Sequence, residues 1–594
     1  MKKRIICLLL VLLMCFSTFA LTACNKDETP DNGNTDDTGN TDGTDNTDKP
    51  NEDDGEDDTT KPSGPPIPGQ GEHDDTAWWE EITYDDTELL FQMTLCDNNQ
   101  ELPSGCERYL AGASANNEDI DKLVDERNDL AESLTFVTVN YSYVDNVSKT
   151  YGFTQNIERI YNEVSNKNQT TPDMYCNFMT DMLCTSLLGS FANVRSRVRG
   201  SEQDQYGVNY FNLDDPGYMS DLMSSLTLST DKIYVIASDY FLDLIRAFFV
   251  VPVNVIRYNE IAAKDQNLED YTMDGVKDIN DFFEEVKQGK WTYARVAEYA
   301  AAAYKPGDGN TGDEAINDQL GFVLAHNGLP AAGMVYTSSV VVIHKEWQKD
   351  EGKFKYWFPD ENPDLVDLAD ALSALFKKTG VKCVTEADAS TVGEITPLLG
   401  VRKQFTTNKI LFGGVILVGS LEYPEYQKMK EGNSGGFGVV PVPVYVYDEE
   451  KAPEEQYLTQ IHVVGRAGGI AVSTRKFAQC TAFLHYQSAH STEILNQYYD
   501  YNLTYDTAGG LDGNIEMLEY IRDNVRTSFD KLFEDAIGFF YKTVNENSEK
   551  NRWHALINDS YYEMDNMADV YKSLIGNKKQ SLVDLIGKYN ELPD

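Results

Sequence analysis

One serine of this 594-residue sequence lies between glycines in a pattern that can hold a catalytic nucleophile. The string Gly432-Asn433-Ser434-Gly435-Gly436 fits the G-x-S-x-G pattern, which holds a nucleophilic serine at a sharp turn. That turn requires a strand before the serine and a helix after it. Here a helical, lysine-rich stretch precedes the serine and a strand follows it. Because the order is reversed, a flexible loop is the better interpretation.

Other catalytic patterns give no stronger signal. The seven histidines include no H-E-x-x-H pair, and no G-x-x-x-x-G-K-[ST] loop is present, so we do not expect this chain to hydrolyse ATP. A glycosidase needs two carboxylates about 5–10 Å apart, but among 97 acidic residues some pair always satisfies that spacing. We therefore predict no enzyme activity, no cofactor and no metal site. A glycan-active enzyme remains an alternative.

The N-terminus has the three parts of an export signal. Lys2, Lys3 and Arg4 are followed by the apolar run 5–21, and Leu21-Thr22-Ala23-Cys24 places small residues before a cysteine. The apolar run is close to the minimum of about 17 residues that spans a bilayer, so the small residues and the cysteine decide against a transmembrane helix. This segment resembles the bacterial lipobox. The resemblance implies a signal peptide over 1–23, cleavage before Cys24, a lipid on that cysteine and a place on the extracellular face of the cell membrane.

Residues 24–75 are predicted to be a disordered acidic tether. They repeat Asn, Thr, Asp and Gly and end in a proline-rich stretch, so they offer little apolar surface to offset the entropy of ordering the chain. Alternating Asp and Asn also suggests calcium loops. However, no Glu stands at the closing position of such a loop and no helices flank it.

Composition limits what the remaining 520 or so residues can be. They exceed what a single core usually serves, so two domains are expected. The net charge of −47 argues against nucleic acid as a partner, because phosphate binding needs clustered Lys and Arg. After cleavage six cysteines besides Cys24 remain, and their even number allows disulfides, although buried free thiols are at least as consistent with a chain of this size. These six are Cys96, Cys106, Cys176, Cys184, Cys383 and Cys480.

From Tyr84 onward, strand and helix patterns alternate, which predicts mainly parallel sheets joined by right-handed crossovers. Residues 88–95 form a short apolar strand pattern, and helical spacing follows over 120–134. A long apolar stretch over 233–258 suits a connection between two sheets. The helical pattern of 278–304 is interrupted near Trp291, which we expect to pack at a helix start, and Thr292 can cap the helix that follows.

Seven short segments, spread over nearly all of 85–594, resemble the extracellular solute-binding proteins of ABC importers, in particular the family of maltose-binding protein and its clostridial lipoproteins. Each segment is weak alone, and their order behind a lipobox carries the resemblance. They are Asp119-Ile120-Asp121-Lys122-Leu123-Val124-Asp125-Glu126-Arg127-Asn128, Thr171-Pro172-Asp173-Met174-Tyr175, Tyr258-Asn259-Glu260, Gly289-Lys290-Trp291-Thr292-Tyr293, Asn408-Lys409-Ile410-Leu411-Phe412, Phe437-Gly438-Val439-Val440-Pro441 and Glu516-Met517-Leu518.

The resemblance implies a type II, two-lobed periplasmic-binding-protein-like α/β fold with hinge strands between the lobes. Lobe 1 would comprise 76–245 with 451–506, and lobe 2 would comprise 246–450 with 507–594. Ligand would bind between the lobes, and closure would be a hinge motion. It further implies a monomer that delivers a small solute, most plainly an oligosaccharide or sugar derivative, to a permease driven by a separate ATPase. A surface polysaccharide-binding or adhesion module is the alternative.

Sugar recognition uses planar rings that stack on the sugar face and carboxylates or amides that bond to its hydroxyls. By resemblance, the turn after the strand at 171–175 lines the cleft, as do the residues after the hinge strand and after a strand ending at Val418. Asn177 stands where maltose binders have an aromatic residue, so maltodextrin specificity is not implied. The predicted ligand-binding residues are Asn177, Phe178, Thr180, Asp181, Asp239, Tyr240, Ser420, Glu422, Tyr423 and Trp553.

Overall fold

The computed structural model describes residues 87–95, 110–111, 119–145, 153–168, 170–195, 210–533 with short gaps, and 567–593; within 210–533 the longest gaps are 308–315 and 504–510. The predicted signal peptide, the tether and Cys24 lie outside these residues. So do Trp553, Ser434, Cys96 and Cys106. Among the residues that are described, no helix combines the length and the apolar character that crossing a bilayer would require.

Twelve strands are described. They are β1 (Thr87–Leu95), β2 (Val137–Asp145), β3 (Met174–Phe178), β4 (Phe249–Asn254), β5 (Leu320–Ala325), β6 (His344–Gln348), β7 (Lys353–Trp357), β8 (Val381–Val384), β9 (Ile410–Phe412), β10 (Ile416–Leu417), β11 (Phe437–Val440) and β12 (Arg466–Ile470).

The helices of the described segments alternate with these strands, as the sequence predicts. They are α1 (Asp119–Thr135), α2 (Phe153–Ser165), α3 (Met179–Ser186), α4 (Ser220–Ser225), α5 (Asp243–Arg246), α6 (Val255–Ala262), α7 (Ile279–Lys287), α8 (Tyr293–Ala303), α9 (Gly328–Tyr336), α10 (Pro363–Phe376), α11 (Glu386–Thr391), α12 (Pro397–Thr406), α13 (Pro424–Glu431), α14 (Phe477–Ala489), α15 (Thr492–Asn496), α16 (Asp512–Asp523) and α17 (Met567–Asn590). Short 3-10 turns cover Val418–Glu422 and Pro453–Glu455.

The first sheet has the strand order β12-β3-β1-β2. β1 runs parallel to β2 and to β3, whereas β12 returns antiparallel beside β3. All five residues of β3 are buried, because helices α1, α3 and α14 pack on this sheet. We call the sheet with these helices the first lobe.

The second sheet has the order β10-β4-β9-β5-β8, with β11 also paired to β4. Helices α6, α8, α10 and α12 flank it and complete the second lobe. Gly321 of β5 lets α8 pack closely, since a Cβ there would lie 2.0 Å from Cα of Ala300. The two helix-flanked sheets confirm the predicted two-lobed α/β class.

Strand direction in the second sheet departs from the predicted mainly parallel arrangement. β5 is parallel to β8 and β9, but β4 is antiparallel to β9, β10 and β11. β4 follows the segment in which the chain leaves the first lobe, and β9, β10 and β11 run in the opposite direction beside it. The first sheet is mainly parallel, and the second is mixed.

The helix start predicted at residues 289–293 is confirmed. Helix α7 ends at Lys287, and Gly289 adopts φ +76°, a left-handed conformation that favours glycine. The Thr292 hydroxyl then accepts a hydrogen bond from the backbone N–H of Arg295 and caps α8. Trp291 is fully buried beneath this turn, as a packing residue should be. The four described cysteines, Cys176, Cys184, Cys383 and Cys480, are buried and are not joined in disulfides.

Lys531 is buried in the second lobe, and Lys345 is half-buried where that lobe faces residues 224–228. Lys531 Nζ donates to the carbonyl oxygens of Tyr336 and Ser338, and Lys345 Nζ donates to that of Ser224 at 2.9 Å. Burial lowers the pKa of each ammonium to about 8; next to Lys531, Asp530 acts in the opposite direction. Both groups therefore prefer the neutral form in the folded chain at alkaline pH.

The free energy of unfolding is expected to gain a positive contribution from Lys531 as the pH rises from about 8 to about 10.5. In that window the unfolded chain still holds a proton on this lysine while the folded chain has released it, so the slope is positive and reaches about 1.4 kcal/mol per pH unit. Urea unfolding of the parent and of Lys531→Met at pH 7.5 and 9.5 isolates this contribution. Lys349→Met, at an exposed position, is the control. Equal pH dependence in all three chains would contradict the prediction.

Candidate functional site

The end of β3 brings two of the predicted polar residues together. The Asn177 amide donates to Asp181 Oδ2 at 3.0 Å, and Asn156 of α2 donates to the same oxygen at 3.2 Å. The side-chain oxygen Oδ1 of Asn177 accepts a hydrogen bond from the backbone N–H of Phe178 at 2.7 Å. These groups and Thr180 are all buried. In this arrangement the carboxylate and the amide satisfy one another, so they fix the turn from β3 into α3.

The Phe178 ring is covered by an arginine from the neighbouring strand. The guanidinium carbon of Arg466, on β12, lies 4.3 Å from the ring centre. Arg466 is almost fully buried, and β12 pairs with β3 so that the two residues stand opposite each other. The contact is a cation–π interaction, which strengthens where water is excluded.

Asp239 and Tyr240 lie within the apolar stretch 233–258. The Tyr240 hydroxyl is 2.8 Å from that of Tyr141 on β2, and the Arg127 guanidinium lies 4.9 Å from its ring centre. Burial raises the pKa of Tyr240 well above its ordinary value, so this hydroxyl stays protonated. Asp239 pairs instead with Arg522 at the end of α16, with 3.5 Å between the carboxylate and the guanidinium.

Glu422 takes part in the most complete polar contact of the predicted set. The Arg246 guanidinium donates to both carboxylate oxygens, at 2.7 and 2.8 Å, and the Tyr498 hydroxyl donates to Oε1 at 2.5 Å. Arg246 is 2% exposed and Glu422 is 19% exposed. Such a bidentate ion pair is strong because both hydrogen bonds are charge-assisted and share one plane.

Ser420 and Tyr423 lie on either side of Glu422, in and after the 3-10 turn. Ser420 is buried, and Tyr423 is half-buried beneath Arg402 of α12, whose guanidinium carbon is 3.6 Å from the ring centre. The turn stands where it does because Leu417 of β10 pairs with Phe249 of β4. Residues 418–422 therefore lie beside the segment that precedes β4.

Two chain segments run side by side where the chain passes between the lobes, and a third segment lies beside them. The His462 N–H donates to the Ala247 carbonyl at 2.9 Å, and the Phe249 N–H donates to that of Gln460 at 3.3 Å. On the other side of this segment, the Thr459 N–H donates to the Asn524 carbonyl at 2.9 Å. We call these residues, 247–249, 459–462 and 524–525, the junction. Arg246 adjoins its first segment, and Arg522 adjoins its third.

Five arginines that sequence reasoning missed therefore contact predicted site residues. Their partners are carboxylates in two cases and aromatic rings in three. One of them carried a signal that could have been read: Arg246 is the only charged residue of the apolar run 244–253, and a charge in such a run needs a buried partner. The pairs are Arg246 with Glu422, Arg522 with Asp239, Arg466 with Phe178, Arg127 with Tyr240 and Arg402 with Tyr423.

Two cavities lie away from these residues. One of about 260 Å³ is lined by Ser338, Tyr445 and Gln456 among others, and one of about 290 Å³ lies between α10 and α17. Within the described part of the chain, no group of three or more His, Cys, Asp and Glu side chains could hold a metal ion. The contacts described above supply hydrogen bonds and ring stacking.

Comparison with known proteins gives solved structures alone. No protein-family model matches the sequence, and no curated protein matches it. The chain is similar to the galacto-N-biose-/lacto-N-biose I-binding protein of the ABC transporter from Bifidobacterium longum, solved with lacto-N-biose, at 10% identity and a TM-score of 0.42, over 86% of this chain and 99% of that one. A second similar structure is the maltose-binding protein MalE of Listeria monocytogenes with maltose, at 12% identity and 0.42, over 86% and 100%.

A third similar structure is a family 1 extracellular solute-binding protein from Bifidobacterium longum subsp. infantis. It shares 11% identity, with a TM-score of 0.43, over 84% of this chain and 100% of that one.

Proposed function

We propose that this chain is an extracellular receptor that captures a small solute between its two lobes and delivers it to the permease of an ABC importer. The observation that supports the proposal is the junction, in which the adjacent segments 247–249 and 459–462 run between two separately built α/β lobes. Few backbone torsions need to change there for one lobe to rotate on the other, which is the geometry of hinge closure. The receptor performs no chemistry; a separate ATPase drives transport.

The ligand class that we propose is an oligosaccharide or sugar derivative. The rings of Phe178 and Tyr423 can stack on a sugar face as they now stack on guanidinium groups. The Glu422 carboxylate can accept hydrogen bonds from sugar hydroxyls as it now accepts them from the guanidinium N–H groups of Arg246. A ligand would then compete with the arginines for these groups. Trp553 and the remaining predicted residues stay proposed contacts, and the lobe boundaries given from sequence stay proposed as well.

We also propose that the mature chain begins at a lipidated Cys24 and acts as a monomer on the outer face of the membrane. The tether of 24–75 would give the lobes reach, and anchoring would raise their effective concentration near the permease. Support for this part comes from the export signal and the composition of the first 75 residues.

Sugars bound between the lobes are expected to raise the melting temperature of the chain from residue 25 onward by about 2–5 °C at saturating concentration, because binding to the folded state alone stabilises it. Lacto-N-biose and maltose form the first panel, since two of the similar structures contain them, and short peptides are the control. Glu422→Gln should weaken the shift in melting temperature.

The proposal fails if no solute changes either melting temperature or tryptophan fluorescence. Binding confined to long insoluble polymer would favour an adhesion module, and glycan turnover would favour an enzyme.

A further inference from the structure

The last described helix, α17, contacts both lobes. Near its start, the Tyr571 hydroxyl donates to the Pro359 carbonyl at 2.9 Å, and Lys572 pairs with Glu361 at 2.9 Å. These partners precede α10, which packs on α8 and β8 of the second lobe. The first half of α17 is therefore attached to the second lobe.

The far end of α17 is attached elsewhere. The hydroxyl of Tyr589 donates to the Lys232 carbonyl at 2.6 Å and is 3.0 Å from the Thr227 hydroxyl. The hydroxyl of Tyr234 in turn donates to the Pro593 carbonyl, just beyond the helix, at 2.7 Å. The Tyr234 and Tyr589 rings meet edge to face, 5.5 Å apart. Residues 224–234 are called the gripped segment below.

The gripped segment belongs with the first lobe. Two residues past its end, Ile236 exchanges backbone hydrogen bonds of 2.8 and 2.9 Å with Gly468 of β12. Within the segment, the Ile233 carbonyl accepts the Val194 N–H at 2.7 Å. Rotation of the first lobe must therefore carry this segment with it.

The hairpin β6–β7 of the second lobe reaches the same segment. Lys345 Nζ donates to the carbonyls of Ser224 and Thr227, at 2.9 and 3.4 Å, which are acceptors left open where α4 ends. The Tyr356 hydroxyl donates to the Leu228 carbonyl at 3.1 Å. Two separate elements thus hold one stretch of the first lobe.

We propose that α17 is a brace that sets how readily the two lobes rotate on the junction. Tyr571 and Tyr589 are 18 residues apart, so about 27 Å of continuous helix separates the two attachments. A continuous helix resists shortening and sharp bending under a large rotation, because its backbone hydrogen bonds fix its rise per residue. Rotation of the lobes therefore requires one end to detach, and the hydrogen bonds of Tyr589 and Tyr234 oppose that detachment. Tyr589 acts as a positioning residue.

Distances between the lobes in the absence of any ligand test the brace. Spin labels at Glu126→Cys in α1 and Asp370→Cys in α10, both exposed positions, report the distance by double electron–electron resonance on the chain from residue 25. The same chain without added cysteines controls for labelling of native thiols. Tyr589→Phe keeps the ring and removes the hydroxyl. It should raise, about threefold to tenfold, the population of molecules with other label-to-label distances relative to the population with the parent distance. Val583→Ala, at a 60% exposed position of the same helix, should leave the ratio unchanged.

Tyr234→Phe removes the other hydroxyl and should shift the distances between the spin labels in the same direction. This variant therefore tests the brace even if Tyr589→Phe does not fold. The brace is refuted if both variants keep the parent distance distribution, even where their melting temperatures fall, because α17 would then be a structural element alone. No ligand enters these measurements, so they stand apart from the sugar panel. A brace without sugar binding and sugar binding without a brace are distinguishable results.

Discussion

Replacing Arg246 with methionine is expected to lower the free energy of unfolding by about 3 kcal/mol. The guanidinium is 2% exposed and makes two hydrogen bonds to Glu422, so its removal leaves a largely buried carboxylate without its cationic partner. Methionine fills a similar volume, so that the missing charge dominates the change. Urea unfolding followed by circular dichroism measures the loss.

Two further variants separate the charge from the packing at this position. Adding Glu422→Met to Arg246→Met should recover part of the lost stability, because no unpaired charge remains. Lys572→Met breaks the pair with Glu361, whose two side chains are exposed, and should cost much less than Arg246→Met. If Arg246→Met is no more harmful than Lys572→Met, the ion pair does not hold the junction as described.

Replacing Trp291 with alanine is expected to cost about 3–5 kcal/mol, because the cavity left by a buried aromatic side chain closes only in part. The indole is fully buried, with its ring centre 4.7 Å from that of Phe412 and 5.1 Å from that of Phe282. Its Nε1–H also donates to the Pro441 carbonyl at 3.0 Å. The same residue thus connects α7, β9 and the segment after β11. Urea unfolding measures the cost.

The control for this variant is another tryptophan. Trp357 on β7 is half-buried and stacks on His344 with 5.2 Å between ring centres, so Trp357→Ala removes less buried area. We expect it to cost less than half as much as Trp291→Ala. Equal losses would show that Trp291 is not the centre of the packed aromatic cluster.

Local patterns allowed much of the fold to be predicted. The strand at β1, the two helices on either side of Trp291 and the cap at Thr292 each follow from residues close together in sequence. Propensity, capping and periodicity act over a few residues, so a single sequence contains what they need. Asp181 and Asn177 are four residues apart and were placed in one turn for the same reason.

Long-range pairings could not be predicted in this way. β12 joins the first sheet after the whole second sheet has been completed, and nothing in Arg466-Ala467-Gly468 indicates β3 as its neighbour. The five arginines of the candidate site are also distant in sequence from the residues they contact. The partner of a guanidinium depends on which groups the folded chain brings within hydrogen-bonding or stacking distance, and the spacing of apolar residues in the sequence does not encode that arrangement. The attachments of α17 to both lobes have the same character.

The late arrival of β12 has a consequence for how the chain folds. Until residue 466 has been synthesised, β3 has β1 on one side and no partner strand on the other, so a row of backbone donors and acceptors stays open. At ordinary translation rates that edge waits for about 15–60 s. Contacts between residues so far apart in sequence also form slowly, because a long loop must close first. The sheet that begins the sequence is therefore completed after the second sheet, and an open strand edge of this kind is what chaperones protect until the matching strand emerges.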